Sequence, residues 1–210
     1  MAFELPDFNG RLGELLPLVI LASQSPARRR LLEERGCQVI VSPTHCDEDH
    51  EGMQIIQVVE SLSLRKLQAY RDSQPQQSFP ILAADTLILQ RDTVMGKART
   101  REAAFSQLRA FSGDSHEVFS GFALCFAENG MLAPTIIHGS DRALVEFDKL
   151  SDSDIDTYLD TGEWIGAAGS YRVQGLGRHL ISRIDGDYST VVGLPINRIS
   201  AILEKLVKDI

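Results

Sequence analysis

Apolar positions in this chain fall into runs of three kinds, and their spacing predicts most of its elements. Leu18 to Ala22 (LVILA) and residues 81 to 89 (ILAADTLIL) are continuous apolar stretches, the form taken by strands buried on both faces. Gln38 to Ser42 reads as a further strand. Met53 to Arg71 carries Ile55, Ile56, Val59, Leu62 and Leu67 at helical intervals, which predicts an amphipathic helix with Arg65 and Lys66 near its C-terminal half. From Ser112 the pattern alternates, with Val118, Phe119, Phe122 and Leu124 opening a hairpin-like β region whose partner strand is Ile136 to Phe147.

Punctuation residues place the ends. Ser25 is a good helix N-cap and Pro26 suits the first helical position, where its missing N–H costs nothing; Gly36 supplies the stop. Thr100 caps a helix that ends near Phe111, with Glu102 well placed against the dipole. Ser151 to Asp154 resembles a capping box for a short helix that Thr161-Gly162 closes. The stretch DGDYSTVVGLP (185 to 195) reads as a turn and a short strand, with Pro195 opening a last helix over Ile196 to Lys208. Strands alternate with helices at both ends while the middle is mostly β, which predicts an α/β fold with a central mixed sheet and an antiparallel extension. Residues 1–17, with their Pro and Gly content, read as a loosely attached extension before one domain over 18–210.

Composition narrows the function classes. At 210 residues, 43% hydrophobic and 24% charged, the chain suits a soluble α/β protein. A formal net charge of −8 argues against binding a nucleic-acid polymer, which wants a basic face, yet leaves small anionic ligands open. Cys37, Cys46 and Cys125 are odd in number and widely spaced, so no disulfide framework is suggested and a reducing cytoplasm fits. The N-terminus lacks the basic and apolar regions of a signal peptide, and no apolar run approaches the roughly 20 residues of a membrane span.

The candidate chemistry begins with Asp85, a carboxylate in the middle of an apolar strand. An unpaired charge there is costly, so Asp85 either sits where the strand opens onto a site or is paired with a cation, and a structural network is a third option. Near the first strand, Ser23, Ser25 and Arg28 stand at a helix start. Arg28, Arg29 and Arg30 oppose the helix dipole, a local rule broken without evident gain. Helix N–H groups, two hydroxyls and an arginine together suit an anion, most naturally phosphate, although some of these arginines belong to a solvated face. There is no GxxxxGK[ST] loop. His45, Cys46 and His50 invite a zinc reading but lack a partner pair at ligand spacing. Asp47 and Glu48 suit Mg²⁺, which prefers carboxylate oxygens. Lys97 lies in a loop before a helix, exposed or aimed at a phosphate. The glycines of AAGSYRVQGLG (167 to 177) lack Rossmann spacing and instead let backbone approach a ligand, with Gln174 able to read an amide or carbonyl edge.

The series VILASQSPARRRLLEERG, AADT, GKARTREAA, SGDSHEVFSG, AAGSYRVQGLG and GDYSTVVGLP resembles the Maf family of nucleoside triphosphate pyrophosphatases, over about residues 18 to 207. The resemblance implies an elongated, ITPase-like α/β fold with two lobes around a cleft, and often a homodimer. It also implies hydrolysis of a nucleoside triphosphate to monophosphate and pyrophosphate, with a divalent metal, Mg²⁺ or Mn²⁺. The implied proton acceptor is Asp85, which could equally ligate the metal. The implied triphosphate region is Ser23, Ser25 and Arg28, with Glu48 (or Asp47), Lys66 and Lys97 as further polar positions. Metal ligands would come from Glu48, Asp47 and Asp85.

Three positions separate dTTP/UTP-type members from those preferring 7-methyl-GTP: Arg, Thr and Gln against Trp, Gln and Glu. Here they are Ala27, Thr86 and Gln174, so two match the pyrimidine type and Ala27 matches neither. Ala98 and Ala167 also depart from the family's GKP and its lysine before Ala-Gly. The alternatives are hydrolysis of a modified nucleotide and a nucleotide-binding regulator of cell division with little turnover.

Overall fold

The computed structural model describes residues 12–46 and 53–208. In chain order the elements are α1 (Leu12–Leu15), β1 (Leu18–Leu21), α2 (Pro26–Glu33), β2 (Gln38–Val41), α3 (Ile55–Ser73), β3 (Ile81–Gln90), β4 (Thr93–Val94) and α4 (Arg101–Phe111). There follow β5 (Ser115–Glu128), β6 (Met131–Phe147), α5 (Asp152–Asp160), a 3-10 turn at Leu176–Leu180, β7 (Ile181–Asp185), α6 (Tyr188–Val192) and α7 (Ile196–Lys208).

The strands form one mixed sheet in the order β2-β1-β3-β5-β6-β7, with β4 on β3. β1 runs parallel to β2, Leu18 opposite Gln38, and parallel to β3, Leu21 opposite Leu82. Helices α2 and α3 make the two returns, since parallel neighbours cannot be joined by a tight turn. β4 is antiparallel to β3 and β7 to β6. The predicted α/β class with a central mixed sheet holds.

The chain divides into two compact units: Met1–Asp85, Ser120–Asp141 and Gly193–Ile210, and Thr86–Phe119 with Arg142–Val192. Each has its own core. In the first, Leu67 and Tyr70 of α3 pack on Ile20, Ile81, Ala83, Ala123 and Cys125 of the sheet. Gly121 allows this close approach, because a Cβ there would lie 2.4 Å from the Val59 carbonyl oxygen. The helix that carries Lys66 is thereby seated directly on β5. The second core gathers Leu108 and Phe111 of α4, Ile155, Tyr158 and Leu159 of α5, and Phe147, Tyr171 and Leu180.

Three local expectations need correction. Tyr188–Val192 is helical, where a short strand was predicted. The Asp187 carboxylate accepts the Ser189 N–H and hydroxyl at 2.8 Å, and its carbonyl accepts from Thr190 and Val191. A satisfied helix start thus overrides the strand preference of Thr190, Val191 and Val192. Leu12 and Leu16 are fully buried, so this part of the extension is packed, not loosely attached. Finally, β6 starts at Met131, earlier than Ile136, because Asn129 and Gly130 (φ 54° and 77°) make a two-residue hairpin turn.

Candidate active site

β1 hands the chain to β2 on one side and the later β3 lies on its other side, so strand order reverses between β1 and β3. Open α/β sheets place their ligands outside the carboxyl ends of such strands. β1 ends at Leu21, opposite Leu82, while β3 runs on beyond it to Gln90, with Asp85 three residues past Leu82. Alongside that overhang runs Ser23-Gln24-Ser25, the turn that leads into α2.

This turn is built from its own hydroxyls. Ser25 caps α2 by accepting the Arg28 N–H at 3.4 Å, and Pro26 takes the first helical position. Ser23, buried, accepts the Ser25 N–H at 3.3 Å. Arg28 reaches back along the helix start. Its Nη1 donates to the Ser23 hydroxyl at 2.9 Å and to the Ala84 carbonyl at 2.8 Å, while Nε donates to the Gly193 carbonyl at 2.7 Å. The broken dipole rule has its explanation here: Arg28 joins the β1 turn, the residue before Asp85 and the segment leading to α7. Burial pulls its guanidinium below the usual range, and the charge of Asp85 opposes that shift. Arg29 and Arg30 instead pair with Glu33 and Glu34 one turn on, as a solvated face does.

Asp85 is 9% exposed and its Oδ1 pairs with the Lys66 ammonium from α3. The anomaly of a charge in an apolar strand is resolved by that cation. Both side chains keep only a sliver of solvent contact, 14% for Lys66 and 13% for Asp85, so the pair is little screened. Thr44 braces the helix by donating its hydroxyl to the Lys66 carbonyl at 3.0 Å. Ser23, Ser25, Arg28, Lys66 and Asp85 are thus brought together within the first unit.

Asp47 and Glu48 lie outside the described residues, as does His50. Among the described residues no three His, Cys, Asp or Glu side chains group as a metal cage. Asp85 offers a hard carboxylate oxygen, the donor type Mg²⁺ takes singly when phosphate oxygens supply the rest.

Lys97, Thr86 and Gln174 belong to the second unit. Thr86 is half-buried and Lys97 exposed. Lys97 bridges Ala168 through its backbone, and the Gly96 carbonyl accepts the Gly169 N–H at 3.2 Å and the Gln107 amide at 3.1 Å. Ser170 donates to that same Gln107. The lysine loop and the glycine-rich stretch are therefore one piece of structure. Gln174 is exposed, while Ala167 is buried.

The stretch is anchored from beneath by Tyr171, whose hydroxyl lies 2.9 Å from Nε2 of buried His116, the imidazole stacking on Phe111 at 4.3 Å. Burial pushes His116 down from 6.5 to about 4, with the Val145 backbone and Asp114 pulling weakly the other way. The folded state therefore refuses a proton that the unfolded chain accepts below pH 6.5. Stability should fall by about 3 kcal/mol from this group as pH drops from 6.5 toward 4, and stay flat above 6.5. Urea unfolding of wild type and His116→Gln across that range checks it: the variant should lack this part of the slope.

Sequence reasoning missed three contributors: Gly193 as the acceptor for Arg28, Thr44 behind Lys66, and Glu163 beneath the glycine-rich stretch. Each meets a partner at least twelve residues away, and no local pattern marks it.

An α/β protein whose polar side chains converge beside β1 and β3, where strand order reverses in a mixed sheet, is the class that fold and site define. Within it, residues 18–206 match the Maf-like protein family, and the chain belongs to that family. A dTTP/UTP pyrophosphatase of Geobacillus sp. is 36% identical over 86% of this chain and 93% of its own. One of Pyrococcus furiosus is 35% identical over 89% and 94%. A nucleoside-triphosphatase / dITP/XTP pyrophosphatase structure from Mycobacterium abscessus covers 91% of this chain and 97% of its own at 12% identity and a TM-score of 0.38, too slight a likeness for argument. Among the described residues no helix is long and apolar enough to cross a membrane.

Proposed function

We propose that this protein hydrolyses a nucleoside triphosphate of the dTTP/UTP type to the monophosphate and pyrophosphate. The observation that carries the reading is the Lys66–Asp85 pair at the β3 overhang, beside a helix start whose hydroxyls and arginine suit phosphate. Family membership and the names of the relatives support it.

In this reading Asp85 accepts a proton from the attacking water, and the anhydride bond between α and β phosphates breaks, the electron pair leaving with pyrophosphate. Lys66 and Lys97 offset phosphate charge. Arg28, which donates to Ser23, Ala84 and Gly193, holds Ser23 and the residue before Asp85 in register and adds its charge. A divalent cation fits one carboxylate of Asp85, with Asp47 and Glu48 as further candidate ligands, and supplies charge neutralisation on the phosphates. Gln174 and Thr86 read the base, as the family resemblance implies, and Ala27 brings no cation to the third specificity position. The reading extends to a cytoplasmic enzyme, supported by three unbridged cysteines, and to a homodimer, which only the family resemblance supports.

A panel of nucleoside triphosphates, natural and 7-methylated, tests it by pyrophosphate release with Mg²⁺ and with chelator. dTTP and UTP should be turned over best, at least about tenfold faster than with chelator present. A preference for 7-methyl-GTP would move the protein to the other substrate class, and binding without turnover would favour a regulatory role.

A further inference from the structure

The C-terminal end of the glycine-rich stretch is latched by one carboxylate. Glu163 leaves the end of α5 half-buried, and its two oxygens accept the Leu176 N–H at 3.0 and 2.8 Å. One of them also accepts the Gly177 N–H at 3.4 Å. The chain crosses directly over this carboxylate, since a Cβ on Gly175 would lie 2.5 Å from both oxygens. A second tie works in the same direction. Arg172 donates from Nε to the Glu163 carbonyl at 2.9 Å and from Nη2 to the Ile165 carbonyl at 2.8 Å.

The segment between the two ties is a tight turn. The Gly175 N–H donates to the Arg172 carbonyl at 3.1 Å, which places Val173 and Gln174 at its central positions. Val173 is buried and Gln174 exposed. The Gln174 side-chain amide makes no hydrogen bond among the described residues, while the chain on both sides of it is tied to Glu163, by the Leu176 and Gly177 N–H groups after it and by the Arg172 guanidinium before it.

We propose that Glu163 is a positioning residue for nucleobase selectivity: it fixes the Arg172–Gly175 turn and so aims the amide of Gln174. The inference rests on the pyrophosphatase reading, in which Gln174 reads the base. Uracil and thymine present a carbonyl acceptor beside an imide N–H, and a glutamine amide answers both with a donor and an acceptor on one rigid plane. A two-point match of this kind depends on direction. A turn freed from its latch keeps the amide and loses its aim, so selectivity goes before turnover does.

The test measures kcat and KM for dTTP, UTP and GTP on the full-length protein, with Glu163→Ala, Glu163→Gln, Gln174→Ala and the Glu163→Ala/Gln174→Ala double variant. Glu163→Ala should raise KM for dTTP about tenfold, the worth of one good hydrogen bond, with kcat within about threefold of wild type. Its preference for dTTP over GTP should shrink by a similar factor. Glu163→Gln keeps a carbonyl acceptor and should recover most of the loss. The double variant should be no worse than Gln174→Ala alone, because the latch acts through that side chain. An unchanged KM for dTTP, an equal loss on every nucleotide, or additive losses in the double variant would overturn the inference while leaving the pyrophosphatase reading standing. If Glu163→Ala melts too low to assay, Glu163→Gln carries the comparison: near-wild-type KM and selectivity support the latch, and an Ala-like general loss overturns it. A wild type that hydrolyses none of these triphosphates overturns both.

Discussion

Asp85→Asn is expected to cut pyrophosphate release from dTTP by about a thousandfold, the scale of a lost general base, while the protein stays folded. Asparagine fits the space and keeps an acceptor for Lys66, but it cannot take a proton from water and ligates a cation weakly. The same substitution removes one charge from the least exposed ion pair described, which invites the objection that lost activity reflects lost structure. The geometry answers it. Lys66 has a long flexible stem and 14% of its side chain already meets solvent, so its ammonium can follow water once its partner is neutral. Circular dichroism and melting should therefore show a variant near wild type in stability and almost without turnover. A variant that turns over at more than a tenth of the wild-type rate would remove Asp85 from the chemistry.

The converse substitution should be the more damaging to the fold. Lys66→Met leaves the Asp85 carboxylate buried with its direct cation gone, and Asp85 has no flexible stem by which to reach water. Breaking a buried pair from one side costs about 3 kcal/mol. For a chain of this size that lowers the melting temperature by roughly 6 to 12 °C. Arg28 contributes favourable charge to Asp85, yet its hydrogen bonds go to Ser23, Ala84 and Gly193, so it offsets only part of the loss. The Lys66→Met/Asp85→Asn double variant should then melt higher than Lys66→Met and still be inactive. That inversion separates the structural share of the pair from its chemical share. Equal melting of the single and double variants would mean that the carboxylate is not held as a charge by Lys66.

How much of this could be seen in the chain itself depends on the range over which each signal acts. Asp85 stood out because a charge in an apolar strand violates burial rules locally, and the Ser-Pro start of α2 carries its own capping chemistry. The Ser151 to Asp154 capping box is reproduced in full, Ser151 accepting from Asp154 N–H and the Asp154 carboxylate accepting from Ser151 N–H. Arg28 was legible as an oddity but not as a tie, because Gly193 is 165 residues away in sequence. Tyr188–Val192 misled for the opposite reason. Its β-branched residues speak for a strand, and one aspartate at position 187 outweighs them. The hairpin turn at Asn129-Gly130 was a strong local signal left unread beside the longer alternation around it. Glu163 could not be read at all: the N–H groups of Leu176 and Gly177 that its carboxylate accepts are of a kind every residue but proline has.

The bond between the α and β phosphates is the one expected to break. Phosphorus NMR of dTTP incubated with the wild-type protein and Mg²⁺ follows that bond. Resonances of dTMP and pyrophosphate should grow together in equal amounts, and Asp85→Asn should show neither. Growth of dTDP and orthophosphate, or an unchanged dTTP spectrum at high enzyme concentration, would contradict that cleavage.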